Sequence, residues 1–249
     1  MKTSSAPLPS LFTARERRLI ARLRTPSDVQ AYLNALPYNT EPHGATLRSF
    51  RRVVAVGTAH CFEAAMFAAV VLEQHGYPPL VLSFESIDGL DHVLFAYRRD
   101  GLWGSVARSR DPGLHGRTPV FATPRALALS YVDTYVDYTG GVTGYAIADM
   151  RGVEGCDWRL SPRNVWKAEQ YLLDYPHYRI RTSSSRIARL RARYVAFRKA
   201  HGFKPVDYAR RDRWTPIPRE FARAEGVPFA GPLARMPRLN RGRSRASGE

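Results

Sequence analysis

The run from Thr58 to His75 constrains the fold of this chain more than any other stretch, because it is apolar around nearly its whole circumference. A helix without a polar face is stable only when other elements surround it. Alanines at positions 64, 65, 68 and 69 would let a sheet or a second helix approach closely. Gly76 stands where a left-handed C-terminal cap is expected. The sequence therefore predicts a buried central helix over these residues.

Two strand-like segments follow this helix. The sequence "PLVLSFES" at 79–86 is apolar and bounded by turn residues, as expected of a buried strand. The sequence "HVLFAYRRDGLWGSVARS" at 92–109 contains Asp-Gly at 100–101, a dipeptide typical of a two-residue hairpin turn. Helix, strand and hairpin in this order predict an α+β fold in which the central helix packs on an antiparallel sheet.

Further helices are predicted on both sides of this core. Before it, residues 11–24 have helical apolar spacing, and a second short helix can be capped by Ser27. After it, a helix is expected over 124–135, and another begins with Ser161 as its N-cap. The segment 183–203 has the pattern of a basic amphipathic helix, so the fold ends in C-terminal helices.

The positive charge of the chain is concentrated in its C-terminal part. The formal net charge is +16, but residues 1–180 hold 20 of the 38 basic and 17 of the 22 acidic side chains. We therefore predict a weakly charged domain over 1–180, followed by a basic helical extension over 181–249 that is partly disordered from about Pro216. The extension could contact nucleic acid or another acidic partner. Alternatively, its apolar stripe packs on the domain and its arginines are solvated.

The chain contains only two cysteines, Cys61 and Cys156, and neither lies in a CxxC motif or a Cys/His cluster. This pattern argues against a zinc site and against a secreted disulfide scaffold. The first ten residues lack the apolar segment of a signal peptide, and the longest apolar run, 64–72, is too short to span a bilayer. We expect a cytoplasmic protein without a membrane span that uses neither metal nor cofactor.

The position of Cys61 at the start of the predicted central helix suggests a reactive thiol. Free amides and the positive end of the helix dipole stabilise the thiolate. They therefore lower the thiol pKa below its ordinary value of about 8.5. The same amides can stabilise a developing oxyanion. The competing interpretation is structural, because a free cysteine also serves as a small buried hydrophobe.

His92 is the best candidate for the base that such a thiol needs. It begins a strand, and the hairpin register predicts that it faces Ser109. A third group that orients the imidazole would then be Asp111, tentatively, or Ser109 as the alternative. His60 precedes the thiol directly, and we expect it to point to another face of the helix as a cap or surface residue.

This order of residues resembles the bacterial transglutaminase-like proteins, which are distant relatives of papain-type cysteine enzymes. The likeness rests on "AHCFEAAMFAAVVLEQHGYPPLVL", "DHVLFAYRRDGLWGSVARS" and "RALALSYVDTY", and it covers about residues 25–150. The resemblance implies a papain-like core with Cys61 as nucleophile and His92 as base. At the position of the third catalytic residue, this chain departs from the family. The usual Asp of the family would fall near Ala107, and a Ser-Asn or Thr-Asn pair of the family is replaced here by Ser109-Arg110.

The resemblance implies acyl transfer or amide hydrolysis on a protein or peptide substrate with a carboxamide or amide bond. Cys61 would form an acyl-enzyme that is released to water or to an amine. The alternative is a catalytically inactive fold that acts as a binding module through residues 181–249. A metal-dependent hydrolase using His60, Asp91 and His92 is disfavoured, because these residues have no recognised ligand spacing.

Overall fold

The computed structural model describes residues 5–201 except 90, 110 and 111, and these residues form seven α-helices and six β-strands. The helices are α1 (Ala14–Arg22), α2 (Pro26–Ala35), α3 (Phe50–Val56), α4 (Cys61–Glu73), α5 (Pro124–Val132), α6 (Trp166–Leu173) and α7 (Ser184–His201). The strands are β1 (Leu80–Ser86), β2 (His92–Arg99), β3 (Leu102–Val106), β4 (Arg117–Phe121), β5 (Val142–Asp149) and β6 (Tyr178–Arg179). The part of the predicted extension beyond residue 201, including the segment from Pro216, lies outside the described residues.

The six strands form one sheet in the order β4-β3-β2-β1-β5-β6, and every neighbouring pair is antiparallel. The predicted hairpin is β2–β3. Asp100 and Gly101 at its turn have φ angles of 51° and 80°, which is the left-handed conformation that such a turn requires. The register at Arg99 opposite Leu102 follows the prediction.

The predicted register does not extend as far as His92. Strand β3 ends at Val106, which pairs with Phe95, so the hairpin does not place His92 opposite Ser109. His92 pairs instead with Phe84 of β1 on the other side of β2. That part of the prediction was wrong because it assumed that both strands of the hairpin are equally long.

Helix α4 is the centre of the larger hydrophobic core, as the sequence predicted. Every residue from Phe62 to Leu72 is buried. The helix packs on β2, while α2 and α3 cover its other sides. Alternate residues of the strands enter a second core on the opposite face of the sheet, where α5 packs. The α+β fold with a central helix on an antiparallel sheet is therefore confirmed.

Two predicted helix starts were wrong, and local hydrogen bonds explain why. Helix α2 is capped by Thr25, whose hydroxyl accepts from the main-chain amide of Asp28, and not by Ser27. Ser161 does not cap α6, because its hydroxyl accepts from the amide of Arg163 in a tight turn. The helix begins only at Trp166.

Helix α7 contacts the rest of the protein through one face. Ile187 and Tyr194 are half-buried on that face, and the Tyr194 ring packs on Tyr138 at 5.1 Å between centroids. Arg191 donates to the main-chain carbonyls of Thr139 and Gly140. Part of the apolar stripe of the helix thus packs inward, whereas Val195 of the same stripe is exposed. In the described part of the chain, no helix combines the length and the hydropathy that a bilayer-spanning segment needs.

Candidate active site

Cys61 is the first residue of α4 and is half-buried. The preceding residue, His60, is the N-cap of the helix and has extended dihedral angles, φ −97° and ψ −172°. The Glu63 carboxylate accepts from the His60 amide at 3.1 Å, which fixes the first turn. The sulfur therefore lies at the amide end of a rigid, buried helix.

The imidazoles of His60 and His92 both lie close enough to the Cys61 thiol to shift its pKa. Burial favours the neutral thiol, but the hydrogen bonds and charges of the two histidines outweigh it and lower the pKa of Cys61 to about 5. A pKa this low favours the thiolate at neutral pH. The structure thus brings together the predicted nucleophile and the predicted base.

His92 is held at the start of β2 by one main-chain contact and several rings. Its side chain is buried, and Nε2 lies 3.0 Å from the carbonyl oxygen of Leu114. A carbonyl oxygen only accepts hydrogen bonds, so Nε2 carries the proton and Nδ1 is left to meet the thiol. The ring of Phe84 is parallel to the imidazole, with 6.3 Å between the ring centroids, and Tyr131 and Tyr135 pack beside the imidazole.

The third member of the site, Asp111 or alternatively Ser109, stays a prediction. Asp111 lies outside the described residues. Ser109 is buried, and its carbonyl oxygen accepts from Nε2 of His115 at 3.2 Å. The group seen at the outer nitrogen of His92 is the main-chain carbonyl of Leu114. A main-chain carbonyl has no residue-type signature, so sequence reasoning could not find it.

His60 was expected to be a cap or a surface residue, and it is the N-cap of α4 but does not lie on the surface. His60 is only 8% exposed, and its Nε2 donates to the carbonyl oxygen of Thr46 at 2.7 Å. Burial lowers the pKa of His60, but the hydrogen bond and charge of Cys61, together with Glu63 and Thr46, raise it to about 9. The loop before α3 covers this side of the helix start and removes His60 from solvent.

Glu63 is the buried acid beneath His60. It is 0% exposed, and its carboxylate accepts from the Thr46 hydroxyl at 2.8 Å and from the Asn39 amide at 3.0 Å. The main-chain amide of Arg48 donates to it at 3.3 Å, and the Arg48 guanidinium lies 3.5 Å away. These contacts satisfy a charge that would otherwise be costly to bury.

Two further acids lie near the site. Burial raises the pKa of Glu169, on α6, against the opposing charge of His60. Burial also raises the pKa of Asp91, whose carboxylate accepts from the Ser86 amide at 3.1 Å and so stabilises the turn before β2. Among the described residues, no group of three or more His, Cys, Asp or Glu side chains has the arrangement of a metal site.

Comparison with known proteins gives little beyond this geometry. No protein-family model and no curated protein matches the sequence. Among solved structures, LapG of Legionella pneumophila is similar at 16% identity, with 56% of this chain and 76% of that chain covered and a TM-score of 0.33. EGTA-treated LapG of the same organism gives 16% identity, coverage of 66% and 87%, and a TM-score of 0.34. Likeness at this level carries no argument about function.

Proposed function

We propose that this protein is a cysteine-dependent enzyme of the transglutaminase-like kind, which cleaves or transfers the acyl group of an amide. The observation that carries the proposal is the Cys61 thiol at the start of a buried helix, near enough to His92 for this imidazole to lower its pKa. The Leu114 carbonyl orients the far side of the same imidazole. Nucleophile, base and orienting group are thus arranged as nucleophilic catalysis requires.

The proposed reaction begins with attack of the Cys61 thiolate on the carbonyl carbon of a carboxamide or peptide bond. The first main-chain amides of α4 have no acceptor within the helix and can donate to the oxyanion that forms. His92 gives its Nδ1 proton to the leaving amine, and the carbon–nitrogen bond breaks to leave a thioester on Cys61. His92 then takes a proton from water or from an amine, which attacks the thioester and restores the thiolate.

The proposed substrate is a protein or peptide that presents an amide bond to the thiol. Hydrolysis and transfer share every step up to the thioester, and they differ only in which nucleophile reaches it. We propose that residues 1–180 constitute the catalytic domain and that residues 181–249 are its extension. A cytoplasmic location remains our expectation from the cysteine content.

Alkylation of the thiol tests the proposal without knowledge of the substrate. We expect iodoacetamide at pH 6 to modify Cys61 in the folded Cys156→Ser protein at least tenfold faster than in the same protein unfolded in urea, because only the folded state lowers the thiol pKa. The Cys61→Ser variant, which retains Cys156, is the matched control and should react slowly in both states. A folded protein whose Cys61 is inert at pH 6 would refute the proposal.

Turnover is then measured with casein, alone and with dansylcadaverine as the amine. Release of peptides or ammonia reports hydrolysis, and incorporation of the fluorescent amine reports transfer. Both should be absent in Cys61→Ser and in His92→Gln if these residues supply the nucleophile and the proton.

A further inference from the structure

His60 is the N-cap directly before Cys61, and its imidazole as well as that of His92 influences the thiol, although a thiol nucleophile needs only one base. The two imidazoles are held by different surroundings. In the described part of the chain, His92 contacts a main-chain carbonyl and aromatic rings. His60 instead lies beside two carboxylates, with Nε2 3.5 Å from Glu63 and 3.6 Å from Glu41. The surroundings of His60 are those of a cation.

We propose that His60 is a second imidazole of the catalytic centre, a permanent imidazolium that stabilises the Cys61 thiolate while His92 transfers the proton. This inference rests on the proposed function, because it assigns a positioning and charge-stabilising role at the same thiol. The inference assigns a role to His60, whereas the resemblance to transglutaminase-like proteins implies roles only for Cys61, His92 and a third residue.

The balance of buried charge supports a cationic His60. Glu63 is fully buried, and Arg48 lies 3.5 Å from it as one positive partner. When Cys61 is a thiolate and His92 carries the proton that it later transfers, Cys61, Glu63 and Glu41 contribute three negative charges. Without His60, only Arg48 and His92 oppose them with positive charge. A protonated His60 makes the cluster neutral, whereas a neutral His60 would leave an excess buried negative charge, which is strongly unfavourable.

The same contacts explain why His60 would remain charged during turnover. Formation of the thioester removes the negative charge of Cys61, but the carboxylates of Glu63 and Glu41 stay in place. The Thr46 carbonyl also accepts from Nε2 at 2.7 Å whether or not Nδ1 carries a proton. His60 therefore keeps its carboxylate partners throughout turnover, and the transfer of the proton is left to His92.

All charged and titratable groups that face His60 enter this argument. They come from α4, from the loop before α3, from α6 and, through the shared sulfur, from β2: Cys61, Glu63, Glu41, Arg48, Glu169 and His92. Glu169 and Glu41 add negative charge at the edge of the site, where the Glu41 side chain is 37% exposed. Both favour the protonated form of His60.

The pH dependence of alkylation tests the inference in the full chain with Cys156 replaced by serine. The iodoacetamide rate of the parent protein should have its inflection near pH 5. We expect His60→Gln to move this inflection upward by one pH unit or more, and we expect His92→Gln to move it less. If His60→Gln leaves the inflection where it is, the inference is wrong.

The two histidine variants also separate this inference from the proposed function. His92→Gln should abolish turnover of casein, and His60→Gln should only slow it at acidic pH. If His92→Gln changes turnover as expected and His60→Gln does not alter the alkylation profile, only the inference fails. If neither variant alters alkylation or turnover, the proposed function fails as well.

A measurement on the unsubstituted protein does not depend on whether His60→Gln folds. Cys61 is blocked with methyl methanethiosulfonate, which leaves a small uncharged group, and the imidazoles are titrated by NMR. The His60 signal, identified by its NOE to Thr46, should titrate above pH 7 in the blocked protein. Titration at or below the ordinary pKa of about 6.5 would overturn the inference.

Discussion

The thiolate–imidazolium pair should make the stability of the fold depend on pH between 6.5 and 5. Folding lowers the pKa of Cys61 from 9.0 to about 5, so its contribution to stability grows as the pH rises from 5 to 9. Folding raises the pKa of His60 from 6.5 to about 9, so its contribution is complete below pH 6.5 and is lost towards pH 9. Above pH 6.5 the two contributions to stability change with pH in opposite directions and cancel. Below pH 6.5 only the contribution of Cys61 changes with pH.

The expected loss of stability follows from the uptake of one proton on unfolding, over an interval of about 1.5 pH units. At about 1.4 kcal/mol per pH unit, the pair loses about 2 kcal/mol of stability between pH 6.5 and pH 5. Serine retains the size of the side chain but does not ionise, so Cys61→Ser should lack this loss. Acidic groups elsewhere change the stability of the parent protein and of Cys61→Ser alike. The difference in stability between these two proteins therefore reports only the thiolate–imidazolium pair.

Urea unfolding of the full chain at pH 6.5 and pH 5.0, under reducing conditions, measures this difference. The stability gap between the parent protein and Cys61→Ser should shrink by about 2 kcal/mol at the lower pH. With a denaturant slope of about 2 kcal/mol per molar, this corresponds to a relative shift of about 1 M in the urea midpoint. A gap that is equal at the two pH values would show that folding does not shift the thiol pKa, and the reasoning would be refuted.

Two further predictions concern the buried acid and the basic helix. Glu63→Gln should cost about 3 kcal/mol in urea unfolding, because the half-buried Arg48 and the other donors lose their fully buried charged partner. A cost below about 1 kcal/mol would contradict the charge balance described above. If the extension binds polyanions, replacing the exposed Arg189 and Arg193 by glutamate should lower the salt at which the protein elutes from heparin, and the exposed pair Arg15 and Arg18 on α1 is the matched control. Equal shifts for both pairs would indicate only the effect of net charge.

The elements at the centre of the fold could be predicted because their signals are local. An apolar circumference identified α4, and Asp100-Gly101 identified the turn of the β2–β3 hairpin. The strands β4, β5 and β6 were not predicted. β4 follows an irregular segment, β5 combines apolar and small polar residues, and β6 consists only of Tyr178–Arg179. Such segments become strands because a neighbouring strand offers hydrogen bonds, and no local pattern shows this.

The candidate site was predictable only where a residue type reveals its chemistry. Cys61 and His92 were found because a thiol at a helix start and a histidine at a strand start are visible in the sequence. The Leu114 carbonyl was missed because its position depends on the path of the main chain after β3. The observed pairing of β2 with β3 also ends too early to bring Ser109 opposite His92, since β3 stops at Val106.

The error about His60 has a more general physical cause. Consecutive residues within a helix point to different faces, and on that rule His60 and Cys61 would not meet the same partner. His60 is the N-cap, however, and its extended dihedral angles free its side chain from the helical pattern. Its amide can then donate to Glu63 while its imidazole meets the sulfur of Cys61. The boundary of α4 therefore allows two adjacent residues to take the proposed roles of nucleophile and cation. Neither residue could adopt this arrangement one turn further into the helix.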